Sequence, residues 1–527
     1  MSQLLREFRL AARAMLRSPG LTAVAVVALA LGIGLTTTMF SIVNGVVLQG
    51  LPFEESDRIL HVERTRAVQG EGVEVPIHDY LDWRRDQHSF EDLGAFYTGT
   101  AYLADGAGQP ARYDGGFVTA SSLSLLRVSP QLGRLIQEGE DRPGAELVLL
   151  LGHRVWQDRY HGDPNVLGRS ARINGQAATI VGVMPEGFRF PIAEELWVPL
   201  RLDPLELPRG EGMTLEVIGR LKPGVTPEQA NAELAGIAQR LETAYPEANA
   251  GVGVDLKPYV TEFIGEEPIA LLFTMLGAVF GVLLIACANV ANLLLARATL
   301  RTREVAIRSA LGASRARVIG QHLAESTVLA VLGAGLGLGL AAIGIRLFND
   351  VLVARAPGVP FWFDIGINPR VALFVVLLSG IASLLAGIFP AIQASNADFN
   401  AVLKDESRGS SSFRLGRFSR ILVITEVALS CSLLVGAALM IKTVVQLDRF
   451  EPEFLTEEVF TSRLGLFEAD YPDVESRRRF YRELRQRLAG RPGVEEAAIS
   501  TGLPGWRAGQ DGFAVDGVGY ASEKDHP

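Results

Sequence analysis

Cysteine is almost missing from this chain. Two residues in 527, Cys287 and Cys431, are too few for a disulfide framework or a cysteine-built zinc or iron–sulfur module. Lysine is rare as well, and none of Lys222, Lys257, Lys404, Lys442 and Lys524 follows a glycine. Without Gly-Lys-Ser/Thr there is no P-loop cradle, so the chain does not hydrolyse ATP by that route. HExxH and CxxC are absent too. Five of the seven histidines (His61, His78, His88, His153 and His161) fall between residues 49 and 267, with no two at helical metal-ligand spacing. They read as surface residues, and no metal, cofactor or catalytic residue is expected. Net positive charge is also lacking: the formal net charge of −9 argues against a nucleic-acid partner. At 48% hydrophobic and 21% charged residues, a disordered chain is excluded.

What is present is long apolar sequence. Mean hydropathy is +0.23, and the apolar residues gather in runs that reach the ~20 residues of a bilayer crossing. No charge occurs between Arg17 and Glu54, Glu267 and Arg297, Glu325 and Arg346, or Arg370 and Asp398, and a fifth run, Ile421–Ile441, holds only Glu426. The expected spans are therefore 20–48, 268–296, 326–345, 371–397 and 421–441. The first is about twice the apolar core of a signal peptide and no small-x-small cleavage site follows it, so it reads as an anchor.

Orientation follows from the arginines. Residues 1–19 carry Arg6, Arg9, Arg13 and Arg17 against Glu7, and 297–325 and 398–420 are also rich in arginine. These three segments are expected in the cytoplasm. Residues 49–267, with 34 acids against 20 bases, are expected outside. Leu5, Phe8 and Ala12 recur at helical spacing, which reads 1–19 as an amphipathic helix on the inner membrane surface, with simple continuation of the first span as the alternative. Spans one to four offer no ionisable group for ion-coupled transport, and Glu426 reads as an interfacial carboxylate. The pairs Gly277/Gly281, Gly333/Gly337 and Gly335/Gly339 suit close helix packing inside the molecule.

Residues 49–267 are too long for a loop and read as a folded α+β domain. Arg58–Glu63 and Thr214–Leu221 alternate like strands, and Lys222-Pro223-Gly224 is a turn. Thr226-Pro227-Glu228-Gln229 is a capping box with proline at the first helical position; Ala230, Leu234, Ile237 and Leu241 then line one helical face. Residues 117–200, with turns at Asn174-Gly175 and Pro185-Glu186-Gly187, read as a mostly β lobe inserted between the halves of the βα lobe.

The segment 297–325 reads RATLRTREVAIRSALGASRARVIGQHLAE. Apolar Val305, Ile307, Leu311 and Val318 alternate with charge, Gly312 breaks the pattern, and Ser314 offers a fresh N-cap. A helix–turn–helix under two spans would be a docking surface for a cytosolic partner. Here a resemblance enters. REVAIRSALGAS (303–314), with NVANLLLARA before it, closely resembles the cytoplasmic coupling segment of MacB/FtsX-type ABC transporter permeases. GGFVTASSLSLLRVSPQLGR, GHRVWQDRYHGDPNVLGRSARINGQ and IVGVMPEGFRFP are similar to the periplasmic core domain of the duplicated orphan permease branch. RILVITEVALSCSLLVGAALM and RRRFYRELRQRLAGRPGVEEA look like the start of that branch's second repeat.

The resemblance implies an α-helical integral membrane protein with an α+β extracytoplasmic domain. It would be a four-span unit with an outer loop at 346–370 and a cytoplasmic linker at 398–420, plus a fifth span beginning a second repeat. Residues 442–527 would be a partial second outer domain, with Phe480, Leu484 and Leu488 on one face of a helix ending near Gly490. The sequence stops at Pro527 before any return spans, which reads as a fragment or a truncation. The implied function is a non-enzymatic mechanotransmission subunit for export in a bacterial inner membrane, with ATP bound by a separate cytoplasmic ABC ATPase. Glu304 and Arg308 would dock that ATPase by charge, and Leu311, Gly312 and Ala313 by a tight turn. A permease dimer and a periplasmic adaptor or enzyme are further implied partners. The alternative is an FtsX-like regulator of a periplasmic enzyme.

Overall fold

The computed structural model describes residues 11–500 apart from 12, 14, 67–71, 74, 106–109, 202, 204–207, 211–212, 301–314, 356–357, 396–411, 449–458, 463, 467–470 and 472. The described residues divide into two compact units. Those of one fall within Met1–Gly99, Asp114–Arg169 and Thr179–Met440; those of the other fall within Thr100–Tyr113, Ser170–Ala178 and Ile441–Pro527. The first long helix, α1 (Pro19–Val43), starts on the proline that best tolerates a helical N-terminus. It ends in a π turn over Asn44–Leu48.

The outer domain follows. Its strands are β1 (Ile59–Arg66), β2 (Gly72–Val73), β3 (Val75–Pro76), β4 (Phe90–Ala104), β5 (Ala111–Val118), β6 (Leu132–Gly133), β7 (Val148–Leu151), β8 (Ser170–Ile173), β9 (Gln176–Val183), β10 (Leu196–Pro199), β11 (Thr214–Leu221) and β12 (Val252–Pro258). Between them lie α2 (Ile77–Asp86), α3 (Ala120–Leu125), α4 (His153–Tyr160), α5 (Pro227–Ala244), α6 (Pro246–Asn249) and α7 (Tyr259–Ile264). The main sheet runs β12-β1-β11-β4-β5-β10-β7-β9-β6. The expectation of a separate β lobe over 117–200 is therefore corrected. The fifteen-residue β4 pairs with β11 on one side and β5 on the other, so both halves share one sheet.

Alternation along β1 and β11 assigns each residue to a face. Leu60, Val62 and Val217 enter one core with Tyr80, Trp83 and the α5 residues Ala230, Leu234, Ile237 and Leu241. The Thr226 capping box that starts α5 is present in both directions, as expected. Ile59 and Ile218 enter the opposite core with Phe96, Phe190, Trp197 and Tyr259. The Asn174-Gly175 turn takes positive φ at both residues, and Gly187 does so in its own turn, which a Cβ would oppose.

Four more long helices follow: α8 (Glu266–Leu300), α9 (Arg315–Arg355), α10 (Pro369–Ser395) and α11 (Ser412–Asp448). With α1 they are the five described helices long and apolar enough to cross a membrane. The helix α1 is central: Leu29 and Ile33 are wholly buried against Leu283, Val290, Leu329 and Leu378. It lies close to α9 because both carry glycine at the crossing. A Cβ on Gly337 would stand 2.9 Å from the Ala30 carbonyl, and one on Gly333 2.7 Å from Leu29 Cβ. Gly335 and Gly339 face open space. The helix α9 continues through Arg346 to Arg355, inside the stretch the sequence assigns to the outer loop.

In the second unit, Leu103 and Ala104 at the end of β4 pair with Ile173 and Arg172 of β8. A helix α12 (Val474–Ala489) starts on an Asp473 side-chain cap and ends at Gly490, where the sequence places its end.

Candidate functional site: the junction between spans and outer domain

The five residues that the resemblance assigns to ATPase coupling, Glu304, Arg308, Leu311, Gly312 and Ala313, lie outside the described residues. So do residues 1–10 of the expected amphipathic helix. What the structure does describe is the other end of the bundle, where three passages of chain join the spans to the outer domain.

The first passage is the exit of α1. Gly45 in its π turn touches the backbone of the connection between α9 and α10: a Cβ there would stand 2.3 Å from the Asp364 carbonyl oxygen. The Asp364 N–H donates to the Gly45 carbonyl at 3.3 Å. Ser41 donates to the Gly366 carbonyl at 2.7 Å, and Asn349 of α9 to the Ile365 carbonyl at 3.0 Å. A π turn widens the helix by one residue and is a common device where a helix must meet something other than another helix.

Beyond it, the chain at Glu54–Arg58 is bound to the sheet by guanidinium groups. Arg220 of β11 is wholly buried. It donates to the Leu125 carbonyl at 2.7 Å, Glu54 at 2.9 Å and Glu55 at 3.2 Å. Burial with only neutral acceptors pushes its guanidinium below the ordinary arginine range. Arg58 donates to the Leu221 carbonyl at 2.9 Å and pairs with Glu55 and Glu91. Arg127 closes the ring onto the same two carboxylates, both at 3.0 Å. Burial alone would raise Glu91, but hydrogen bonds from Arg127 and Arg58 hold it below the usual carboxylate range.

The second passage is the connection itself, where Phe361, Trp362 and Phe363 form an aromatic strap. Trp362 is buried, 5.7 Å from the Tyr259 ring and 6.0 Å from Phe263, both edge-on. Phe361 lies 5.6 Å from Phe53 and donates its N–H to the Ile192 carbonyl at 2.9 Å. Tyr259 donates its hydroxyl to the Pro191 carbonyl at 2.8 Å. Edge-to-face rings add about 0.5–1.5 kcal/mol per pair to the apolar area they bury.

The third passage is α7, which leads into α8 across Gly265 alone, at φ +85°. Above α7, on the face of β1 that bears Ile59, lie His61 and Glu63. His61 is buried, contrary to the expectation of surface histidines, and its Nε2 is 2.6 Å from Glu216. Glu63 pairs with Lys257 at 2.7 Å; Lys257 reaches Glu262 of α7 at 3.4 Å. His88 is exposed as expected.

The sequence carries two signals for this junction. Three consecutive aromatics in a connection between spans are out of place in solvent, and an arginine inside an apolar strand needs acceptors.

Comparison with known proteins accords with these observations. Residues 22–237 match the MacB-like periplasmic core domain family, and residues 276–399 the FtsX-like permease C-terminal family. The chain is 29% identical over 243 residues to the ABC transporter permease YknZ of Bacillus subtilis, covering 44% of this chain and 55% of that protein. It is 25% identical over 328 residues to the macrolide export ATP-binding/permease protein MacB of Campylobacter jejuni, covering 61% and 47%. The matches thus span about half the length of these relatives. Among solved structures, the periplasmic region of MacB from Actinobacillus actinomycetemcomitans aligns with 40% of this chain and 93% of its own, at 11% identity and a TM-score of 0.30.

Proposed function

The chain belongs to the MacB/FtsX-type ABC transporter permeases, and from that premise we propose that it is a mechanotransmission subunit for export. A separate cytoplasmic ABC ATPase would bind ATP and dock on residues 303–314. Its cycle would displace the inner ends of α8 and α9, and the outer domain would move with their outer ends. The observation that carries this reading is the junction. An outer domain hung on flexible linkers would absorb a displacement of the spans. This one is held by a backbone contact at Gly45, by Arg220 on the chain leaving α1, and by the Trp362 strap. On the same reading the protein resides in a bacterial inner membrane with its N-terminus in the cytoplasm, as the arginine distribution supports.

The test is affinity purification of the full chain from native membranes, followed by assay of the eluate for ATPase. The expected result is a stoichiometric nucleotide-binding subunit that is lost when residues 303–314 are scrambled. Gly312→Pro should abolish stimulation of that ATPase and leave membrane insertion intact. Unchanged stimulation would reject the coupling role.

A further inference from the structure

The polar cluster between β1, β12 and α7 has a composition that packing alone does not require. His61 and Glu63 stand two residues apart on one face of β1, and Lys257 lies opposite His61 in the antiparallel register. Glu262 reaches in from α7. A ring nitrogen of His61 and one oxygen each of Glu63 and Glu262 all lie within 4.8 Å of one another. Four ligands at tetrahedral positions around a zinc ion would be about 3.3 Å apart, so modest closure brings these three into range.

Three further features point to a cation. His61 is 3% exposed, and its Nδ1 is buried with no hydrogen-bond partner. Its other ring nitrogen is held by the Glu216 carboxylate, and a carboxylate on the second ring nitrogen is how metal-binding histidines are oriented. The charge leans negative: Glu63 and Glu262 share the ammonium of Lys257, and Glu216 lies against the His61 ring. A divalent ion would take the orphaned nitrogen as a ligand and offset the surplus carboxylates. Lys257 is placed to yield, because its side chain is 27% exposed and its four-carbon stem is flexible.

We propose that His61, Glu63 and Glu262 form a divalent-cation site for which Lys257 is the built-in competitor. The mixed nitrogen and oxygen set suits a first-row ion such as Zn2+ or Mn2+ better than Ca2+ or Mg2+. The ion would tie β1 to α7, the helix that leads into α8, and displace Lys257 toward solvent.

The experiment is calorimetric titration of ZnCl2 and MnCl2 into the full chain, purified in detergent with a histidine-free tag and stripped with chelator. One ion per chain is expected in the wild type. Lys257→Met should bind at least tenfold tighter, and Glu262→Gln, at the partly exposed edge of the cluster, at least tenfold weaker. Should His61→Ala fail to fold, Glu63→Gln serves as the second inner-ligand variant. Equal affinity in the wild type and Glu262→Gln, or no binding by Lys257→Met, would overturn the proposal.

Discussion

The two sides of the junction hold the outer domain by different chemistry. On the strap side the contacts are rings and backbone carbonyls: Trp362 against Tyr259 and Phe263, Asp364 against Gly45. Between α7 and the strands β1, β11 and β12 they are carboxylates, an imidazole and an ammonium. Salt screens neither rings nor backbone contacts, whereas paired charges with partial exposure answer to ions and pH. One side therefore fixes position and the other can be adjusted.

Breaking the strap should have the largest effect. Trp362→Ala removes a buried indole and should cost about 3–5 kcal/mol, read as a lower unfolding midpoint of the purified protein. Arg220→Met takes the donor from the buried Leu125 carbonyl and from the part-buried Glu54 and Glu55 carbonyls and should cost about 1–3 kcal/mol, with the outer domain more open to limited proteolysis. Gly45→Ala forces apart two backbones already in contact, for about 1–3 kcal/mol. The charged side sharpens the contrast through pH. Burial raises the folded-state value of Glu63, so the native state keeps a proton that the unfolded chain has already released. Stability should therefore fall as pH rises from the ordinary carboxylate range through that raised value, and Glu63→Gln should lose this slope. Thr226→Ala, far from both sides on an exposed cap, should cost only about 1 kcal/mol and leave the slope unchanged.

Much of this architecture was legible because its signals are local. Uncharged runs mark the long helices, and Thr226 to Gln229 announces α5 by its own hydrogen bonds. The junction was not, because its logic is long-range. Trp362 matters through Tyr259, and Arg220 through Glu54, each pair more than a hundred residues apart. His61 reads as a surface residue until β12 and α7 are folded over it. The lobe division failed for a similar reason: punctuation in 117–200 shows where strands stop but not that β4 pairs on both edges.

Gly265 has a consequence of its own. A single left-handed residue separates α7 from α8, with its N–H bound to the Thr261 carbonyl at 2.9 Å. A linker of many residues would behave as an entropic spring and spend part of any stroke on straightening itself. One residue has no such slack. On the proposed reading, rotation of α8 about its own axis would reach α7 with only this one residue to absorb it, giving torque as well as tilt a route outward. Lengthening the connection by a few glycines and serines would act as a clutch, leaving both halves folded and disengaged.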